Sequence, residues 1–231
     1  MDWTFTNEPF HNDIIEYQQL FALTPADLER RILGCGDGPA AFNAEATRRG
    51  SRVVSCDPLY AFSRTDIESR IAATCDTVLE QTRRHADQFV WGHGIASIDE
   101  LGEVRMRAMR TFLADYDAGK EAGRYVDASL PSLPFADGAF DLALCSHLLF
   151  LYSKQFDETF HRASVRELCR VAPDVRIFPL LTLDGSRSPF VDACLAEARS
   201  AGLDATIEPV EYEFQRGGNE MLRLRRSAAA S

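Results

Sequence analysis

Along the chain, apolar positions alternate between short β-like runs and stretches of helical period. Residues Asp13 to Arg30 predict one or two short helices, with the Thr24 hydroxyl as a cap and Pro25 at a first helical position. Ile32-Leu33 then enters a glycine-rich turn, and Pro39 to Arg49 predicts a helix stopped by Gly50. Arg52 to Cys56 (RVVSC) predicts a short buried strand ending at Asp57-Pro58, where proline disfavours continuation into a helix. The first 60 residues therefore hold a strand–helix–strand unit, the seed of a parallel sheet with right-handed crossovers.

Residues 61–123 break that rhythm. Ile67, Ile71, Cys75, Val78 and Leu79 recur at helical spacing, as do Leu101, Val104, Ala108, Phe112 and Leu113. An aromatic joint, FVWGHG from Phe89 to Gly94, lies between them. The stretch is too long for an ordinary crossover, so the expectation is a helical insertion, a lid packed over the mouth of the sheet.

Strands resume at Arg124 to Val126, Asp141 to Cys145 (DLALC) and Val175 to Leu181 (VRIFPLL). Helices at about Asp157 to Arg170 and Pro189 to Ala201 separate the later strands. Thr206 to Phe214 and Met221 to Leu224 flank the turn QRGGNE, whose Gly217-Gly218 is a hairpin signal, so the last pair is expected to be antiparallel. The predicted architecture is an α/β parallel sheet with a terminal hairpin. It forms one domain over 1–231, with an N-terminal helical segment at 1–28 and the insertion at 61–123. The Ala/Ser tail from Ser227 to Ser231 is expected to be frayed.

Composition narrows the class. At 231 residues, 45% hydrophobic and 26% charged, the chain suits one globular domain needing no disulfide or metal staple. A net charge of −10, from 25 basic and 35 acidic residues, argues against a partner bound mainly through phosphates, nucleic acid included. The run Arg105, Arg107 and Arg110 is best read as a solvated helix face. Six cysteines form no Cys-x-x-Cys pair, which leaves zinc-ribbon and thioredoxin readings without support. With neither an apolar leader nor a span of ~18 apolar residues, the expectation is a cytoplasmic protein with free thiols and no membrane segment.

Two features carry chemistry. Gly34-Cys35-Gly36-Asp37-Gly38 lets backbone approach a ligand closely, and a helix N-terminus after it offers N–H groups to an anion, a pyrophosphate or a carboxylate. A dinucleotide fingerprint needs glycine where Pro39 stands, so a carboxylate-bearing nucleoside fits better. Asp57 follows Gly34 by 57 − 34 = 23 residues, close to the ~20 expected of a carboxylate that accepts ribose hydroxyls.

With these in place, RILGCGDGPAAF, VVSCDPLY, YVDASLPSLPFADGAFDLALCSHLL and ELCRV resemble the successive motifs of class I S-adenosylmethionine-dependent methyltransferases, from Arg31 to about Leu181. The resemblance implies a Rossmann-like, doubly wound seven-stranded sheet with its last strand antiparallel, and S-adenosyl-L-methionine as cofactor. It implies that Gly34, Cys35, Gly36, Asp37 and Gly38 line the methionine part and that Asp57 and Pro58 meet the ribose. Asp127, Ala128 and Ser129 would lie at the adenine, with Cys145, Ser146 and His147 as the floor beneath the methyl group.

Two departures stand out. The family usually carries an acid two residues before the first glycine, where this chain has Ile32; polar contacts to the methionine end must then come from Asp37, the N-terminal segment or water. After ELCRV the family often has a Pro-Gly-Gly turn, and this chain has APDV. His147 is the leading candidate for a base, with Tyr152, His161, Asn43 and His93 behind it. The absence of an Asn/Asp-Pro-Pro-aromatic run at Cys145–Leu148 argues against methylation of nucleic-acid amino groups. The aromatics Phe62, Phe89, Trp91, Phe112 and Tyr116 point to an enclosed pocket and a small-molecule acceptor. Two alternatives stay open: an S-adenosylmethionine-binding sensor or scaffold without catalysis, and an NAD-binding oxidoreductase.

Overall fold

The computed structural model describes residues 13–91 and 95–226. His93, the end of the aromatic joint, the first 12 residues of the N-terminal segment and the tail from Ser227 lie outside the described residues.

Seven strands among them form one sheet: β1 (Arg31–Cys35), β2 (Arg52–Cys56), β3 (Tyr125–Val126), β4 (Leu142–Ser146), β5 (Asp174–Phe178), β6 (Leu203–Pro209) and β7 (Glu220–Arg226). Their order is β3-β2-β1-β4-β5-β7-β6. β7 pairs antiparallel with both β5 and β6, and the pairs from β3 to β5 are parallel. This is the seven-stranded, mostly parallel sheet with an antiparallel last strand that the sequence implied. β5 stops at Phe178 because Pro179 has no N–H for the ladder. β6 starts three residues before the predicted Thr206 and stops at Pro209, its pairing with β7 running from Leu203↔Arg226 to Pro209↔Glu220.

Helices α1 (Ile14–Leu20), α2 (Pro25–Leu28) and α3 (Phe42–Arg48) are followed by α4 (Arg64–Arg84), α5 (Ile98–Glu121), α6 (Glu158–Val171) and α7 (Val191–Ser200). Thr24 and Asp27 form a reciprocal capping box on α2, and Ser63 and Asp66 do so on α4, satisfying N–H groups that a helix leaves unpaired. α6 and α7 cover one face of the sheet, in a core with Leu33, Cys35, Cys145 and Ile177. The opposite face packs Ile14, Tyr17, Leu20 and Phe42 of α1 and α3 against Ile32, Leu142 and Leu144.

A buried charge cluster fastens α2 to the sheet. Arg176 on β5, 1% exposed, reaches Asp27 at 3.0 Å and Asp174 at 3.1 Å, and donates to the carbonyl of Phe21 at 2.8 Å. Arg30 and Arg223 complete the ring around Asp174 at 3.0 and 3.1 Å. Burial alone would raise the Asp174 carboxyl, yet the guanidinium groups of Arg223, Arg176 and Arg30 hold it below its ordinary value.

α4 and α5 run antiparallel: Arg64 donates to the Leu113 carbonyl at 2.9 Å near one end, and Arg83 pairs with Asp99 at 2.9 Å near the other. α4 starts just beyond β2, and its 21 residues span about 30 Å at 1.5 Å per residue. Its far end leads into Gln88–Val90, which pair with the β6–β7 loop through Val90 N to Phe214 O and Arg216 N to Gln88 O, both 2.8 Å. β6 runs parallel to β5, so that loop lies at the carboxyl end of the sheet, and α4 crosses the mouth from β2 to the far edge. Arg105 corrects the sequence reading. It is 4% exposed, on the face of α5 turned toward His147 and Tyr212, whereas Arg107 and Arg110 are solvated.

Candidate functional site

The carboxyl ends of β1, β2, β3 and β4 bring the glycine loop, Asp57, Asp127 and His147 to one side of the sheet. Gly34 lies inside β1, paired with Ser55 and Leu144, and the loop proper begins after Cys35. A methyl group on Gly34 would overlap the Asp37 carboxylate, which folds back over that glycine. At Gly36 φ is +73°, and a Cβ would come within 2.7 Å of Leu148. These two glycines therefore make room for the protein's own side chains.

The loop's N–H groups are engaged as well. Gly36 N donates to Cys56 O at 3.0 Å, and Gly38 N donates to Asp57 Oδ2 at 3.0 Å. The carbonyl of Gly38 accepts the Tyr60 hydroxyl at 2.8 Å, and Tyr60 is itself packed among Phe112, Tyr116 and Tyr125. The helix expected from Pro39 starts at Phe42, behind an Ala41 cap that makes no side-chain bond. At Gly36 and Gly38 the protein thus uses the loop's own N–H groups, while the helix N-terminus at Phe42, where N–H groups were expected for an anion, carries no side-chain cap.

Asp37 is 3% exposed and accepts Tyr17 Oη at 2.9 Å and Ser55 Oγ at 2.5 Å. Burial pushes its carboxyl up to about 7, the bonds from Ser55 and Tyr17 resist, and the Asp57 charge adds to the rise. Tyr17 and Ser55 were missed in the sequence. Their only signals there were a tyrosine on the apolar stripe of α1 and a serine inside an otherwise apolar strand. Because the folded value is raised, this group's contribution to stability is full below the unfolded value of about 3.9 and is lost as pH rises through about 7. Asp37→Asn keeps the shape but not the charge. In urea melts of the ligand-free protein, its stability relative to wild type should rise by about 4 kcal/mol between pH 4 and pH 8. A difference that does not change with pH would contradict this environment for Asp37.

Asp57, 8% exposed, accepts Gly38 N through one oxygen and Leu59 N at 2.7 Å through the other. Burial raises it to about 6 against those two N–H bonds, and nearby Asp127 adds repulsion. Asp57 N donates to Val126 O at 3.2 Å, so Asp57 and Asp127 follow paired strand ends. Pro58 opens the short turn to Ala61 that Asp57 caps. Asp127 and Ser129 are exposed and Ala128 is half-buried.

Cys35 and Cys145 face the core beneath with Cys56, all three at most 1% exposed and in register across β2, β1 and β4, so their thiols point away from this surface. Ser146 Oγ lies 2.9 Å from His147 Nδ1. His147 has φ +50°, a costly conformation for a residue other than glycine and one that recurs at functional sites. Burial, with the Arg105 charge, lowers it to about 4, so the imidazole is neutral at neutral pH.

Two weaker candidates have structural work. His161 is fully buried, with Nδ1 2.7 Å from the Asp157 carbonyl and its ring between Phe150 and Phe190. Asn43 ties α3 to β2 and β3 through Ser55, the Arg124 carbonyl and the Arg124 guanidinium. Tyr152 is half-buried after β4. Of the five aromatics, Phe112 and Tyr116 are core, Phe89 and Trp91 pack on Phe214, and Phe62 is exposed.

No family model matches the chain. It is 32% identical over 212 residues to the uncharacterized protein MJ0045 of Methanocaldococcus jannaschii, covering 91% of this chain and 92% of that protein. Among solved structures it is similar to a magnesium protoporphyrin IX methyltransferase of Synechocystis PCC 6803 with bound SAM, at 12% identity and a TM-score of 0.47, over 87% of this chain and 73% of that one. It is also similar to a SAM-dependent methyltransferase of Thermotoga maritima titled a possible histamine N-methyltransferase, at 12% identity and a TM-score of 0.46, over 92% and 88%. No helix among the described residues is long and apolar enough to cross a membrane.

Proposed function

We propose that this chain, which belongs to the same family as MJ0045 of Methanocaldococcus jannaschii, binds S-adenosylmethionine at the loop from Gly34 to Gly38 and transfers its methyl group to a small molecule. One observation carries the reading: three carboxylates, Asp37, Asp57 and Asp127, gather around a glycine loop whose N–H groups at Gly36 and Gly38 are already engaged. A pyrophosphate would meet repulsion there and find those donors occupied, whereas S-adenosylmethionine, whose sulfonium and ammonium outweigh its single carboxylate, brings net positive charge. This disfavours the NAD reading beyond the missing glycine at Pro39.

The residues present fit the cofactor. Asp57 has used one lone pair on each oxygen, and the two that remain are what a pair of ribose hydroxyls needs. Asp127 lies at the next strand end to take the adenine amino group. Ile32, fully buried in the core, offers nothing to the ligand. Asp37, folded back over Gly34 and held by the buried Tyr17, brings a carboxylate toward the place of the missing acid. Bound there, the cofactor supplies an electrophilic methyl group for in-line displacement.

The chain's own part is alignment and charge. A neutral His147 fixed by Ser146 accepts a hydrogen bond and orients the incoming nucleophile. With its value lowered to about 4 it is a weak base, which suits a nucleophile that still holds its proton while the methyl group transfers. Asp57→Ala should weaken S-adenosylhomocysteine by about 1–3 kcal/mol in calorimetry at pH 8, the cost of unpaired ribose hydroxyls. Equal affinity in the variant and wild type would show that the ribose does not sit there.

A further inference from the structure

Among the described residues the buried acids are Glu16, Asp27, Asp37, Asp57 and Asp174, and the chain treats them in two ways. Asp27 and Asp174 are both held by Arg30 and Arg176, with Arg223 also on Asp174. The other three have no ion pair among the described residues. Asp37 accepts from two neutral hydroxyls, Tyr17 Oη and Ser55 Oγ, and Asp57 accepts from the backbone N–H groups of Gly38 and Leu59. Glu16 is 5% exposed, and neither of its carboxylate oxygens has a hydrogen-bond partner.

These three acids are linked through the loop. Glu16 precedes Tyr17 on α1, and Tyr17 donates to Asp37 at 2.9 Å. Asp57 takes the N–H of Gly38, the residue after Asp37, at 3.0 Å, while Asp37 takes the hydroxyl of Ser55, two residues before Asp57, at 2.5 Å. Cations on the surrounding elements are engaged elsewhere. Lys120 Nζ donates to the Tyr60 carbonyl at 2.6 Å, Arg124 pairs with Asp115 at 2.8 Å, and Arg105 turns toward His147 and Tyr212. An ionised carboxylate without a counter-charge is costly in the interior, and a bound cation offsets that cost.

We propose that these acids make the site charge-selective: it holds S-adenosylmethionine more tightly than S-adenosylhomocysteine, and Asp37 sets the difference. The inference rests on the methyl-transfer reading and adds to it how the site tells the methyl donor from its product. The two ligands share the nucleoside, the ammonium and the carboxylate, so the sulfonium charge is what separates them. It stands three carbons from the ammonium, and a carboxylate beside either group acts on both through an interior that screens charge far less than water. Transfer then loosens the hold. The nucleophile's lone pair bonds the methyl carbon, the electrons of the C–S bond stay on sulfur, and the neutral thioether leaves the acids one cation short.

Calorimetry of the full chain at pH 8 tests this with S-adenosylmethionine, S-adenosylhomocysteine and sinefungin, in which a carbon bearing an amine replaces the sulfonium and no methyl can leave. S-adenosylmethionine and sinefungin should each bind about tenfold tighter than S-adenosylhomocysteine, or more. In Asp37→Asn, with circular dichroism matching wild type, that preference should fall to about threefold or less, and S-adenosylhomocysteine should stay within about threefold of its wild-type affinity. Glu16→Gln should narrow the preference in the same direction. Equal weakening of all three ligands in Asp37→Asn would make Asp37 a structural residue and overturn its assignment. S-adenosylhomocysteine bound as tightly as S-adenosylmethionine by the wild-type chain, or more tightly, would overturn the charge selection and leave the methyl-transfer reading standing. Binding of none of the three would overturn both.

Discussion

Gly34→Ala is expected to destabilise the protein by about 3 kcal/mol and to weaken S-adenosylhomocysteine in the same variant. β1 itself has no objection to alanine, since Gly34 is in strand pairing on both sides. The new methyl group would overlap the Asp37 carboxylate, which must swing away and give up its bonds from Ser55 and Tyr17. Each hydrogen bond to a carboxylate is worth about 1.5–3 kcal/mol, and Ser55 and Tyr17 would be left with buried unpaired hydroxyls. The Asp37→Ala background gives a sharp check: there the methyl group has nothing to strike, so Gly34→Ala should cost under 1 kcal/mol. Equal costs in the two backgrounds, measured by urea unfolding, would show that the clash with Asp37 is not why residue 34 is glycine.

The second large effect is at Arg176. Replacing it by methionine leaves Asp27 and Asp174 short of a partner and strands the carbonyl of Phe21, all in the interior. Breaking one side of a buried ion pair costs about 3–5 kcal/mol. In a domain of this size that corresponds to a fall of roughly 10 °C in Tm. The effect should also reach the site. Arg176 holds the turn that joins α1 to α2, and α1 carries Tyr17 to Asp37. Calorimetry should therefore show weaker S-adenosylhomocysteine binding even in the folded fraction. A Tm within 2 °C of wild type would mean that α2 is anchored by other contacts.

These two residues show where the sequence was readable. β2 could be placed to the residue because RVVSC is a short apolar run closed by Asp-Pro, and local chemistry alone ends it. The seven-stranded sheet and its antiparallel last pair followed from the motif resemblance and the Gly217-Gly218 hairpin. α3 began later than Pro39 suggested, because the loop carries on through Ala41 while Tyr60 and Asp57 hold Gly38. The charge cluster was not visible: alternating Asp174, Arg176 and Arg223 look like the wet face of a strand until α2 is laid over them. Arg105 was hidden in the same way, since a helix charge becomes interior only when another element covers it.

The candidate site divides along the same line. Asp57 and the loop could be singled out as candidates because a glycine-rich turn and an aspartate at a strand end are local features of the sequence. Tyr17, Ser55 and Arg105 act across the fold, from elements brought together by tertiary packing, and no spacing rule reports that. His161 misled because a polar residue type on α6 was read without its surroundings, Phe150 and Phe190.

The central claim is that an acidic glycine loop, followed by Asp57, selects an S-adenosyl nucleoside over a pyrophosphate dinucleotide. Isothermal calorimetry of the wild-type chain with S-adenosylhomocysteine and, separately, with NADH tests it most directly. The account predicts saturable binding of S-adenosylhomocysteine and no measurable heat with NADH; tight binding of NADH alone would contradict it.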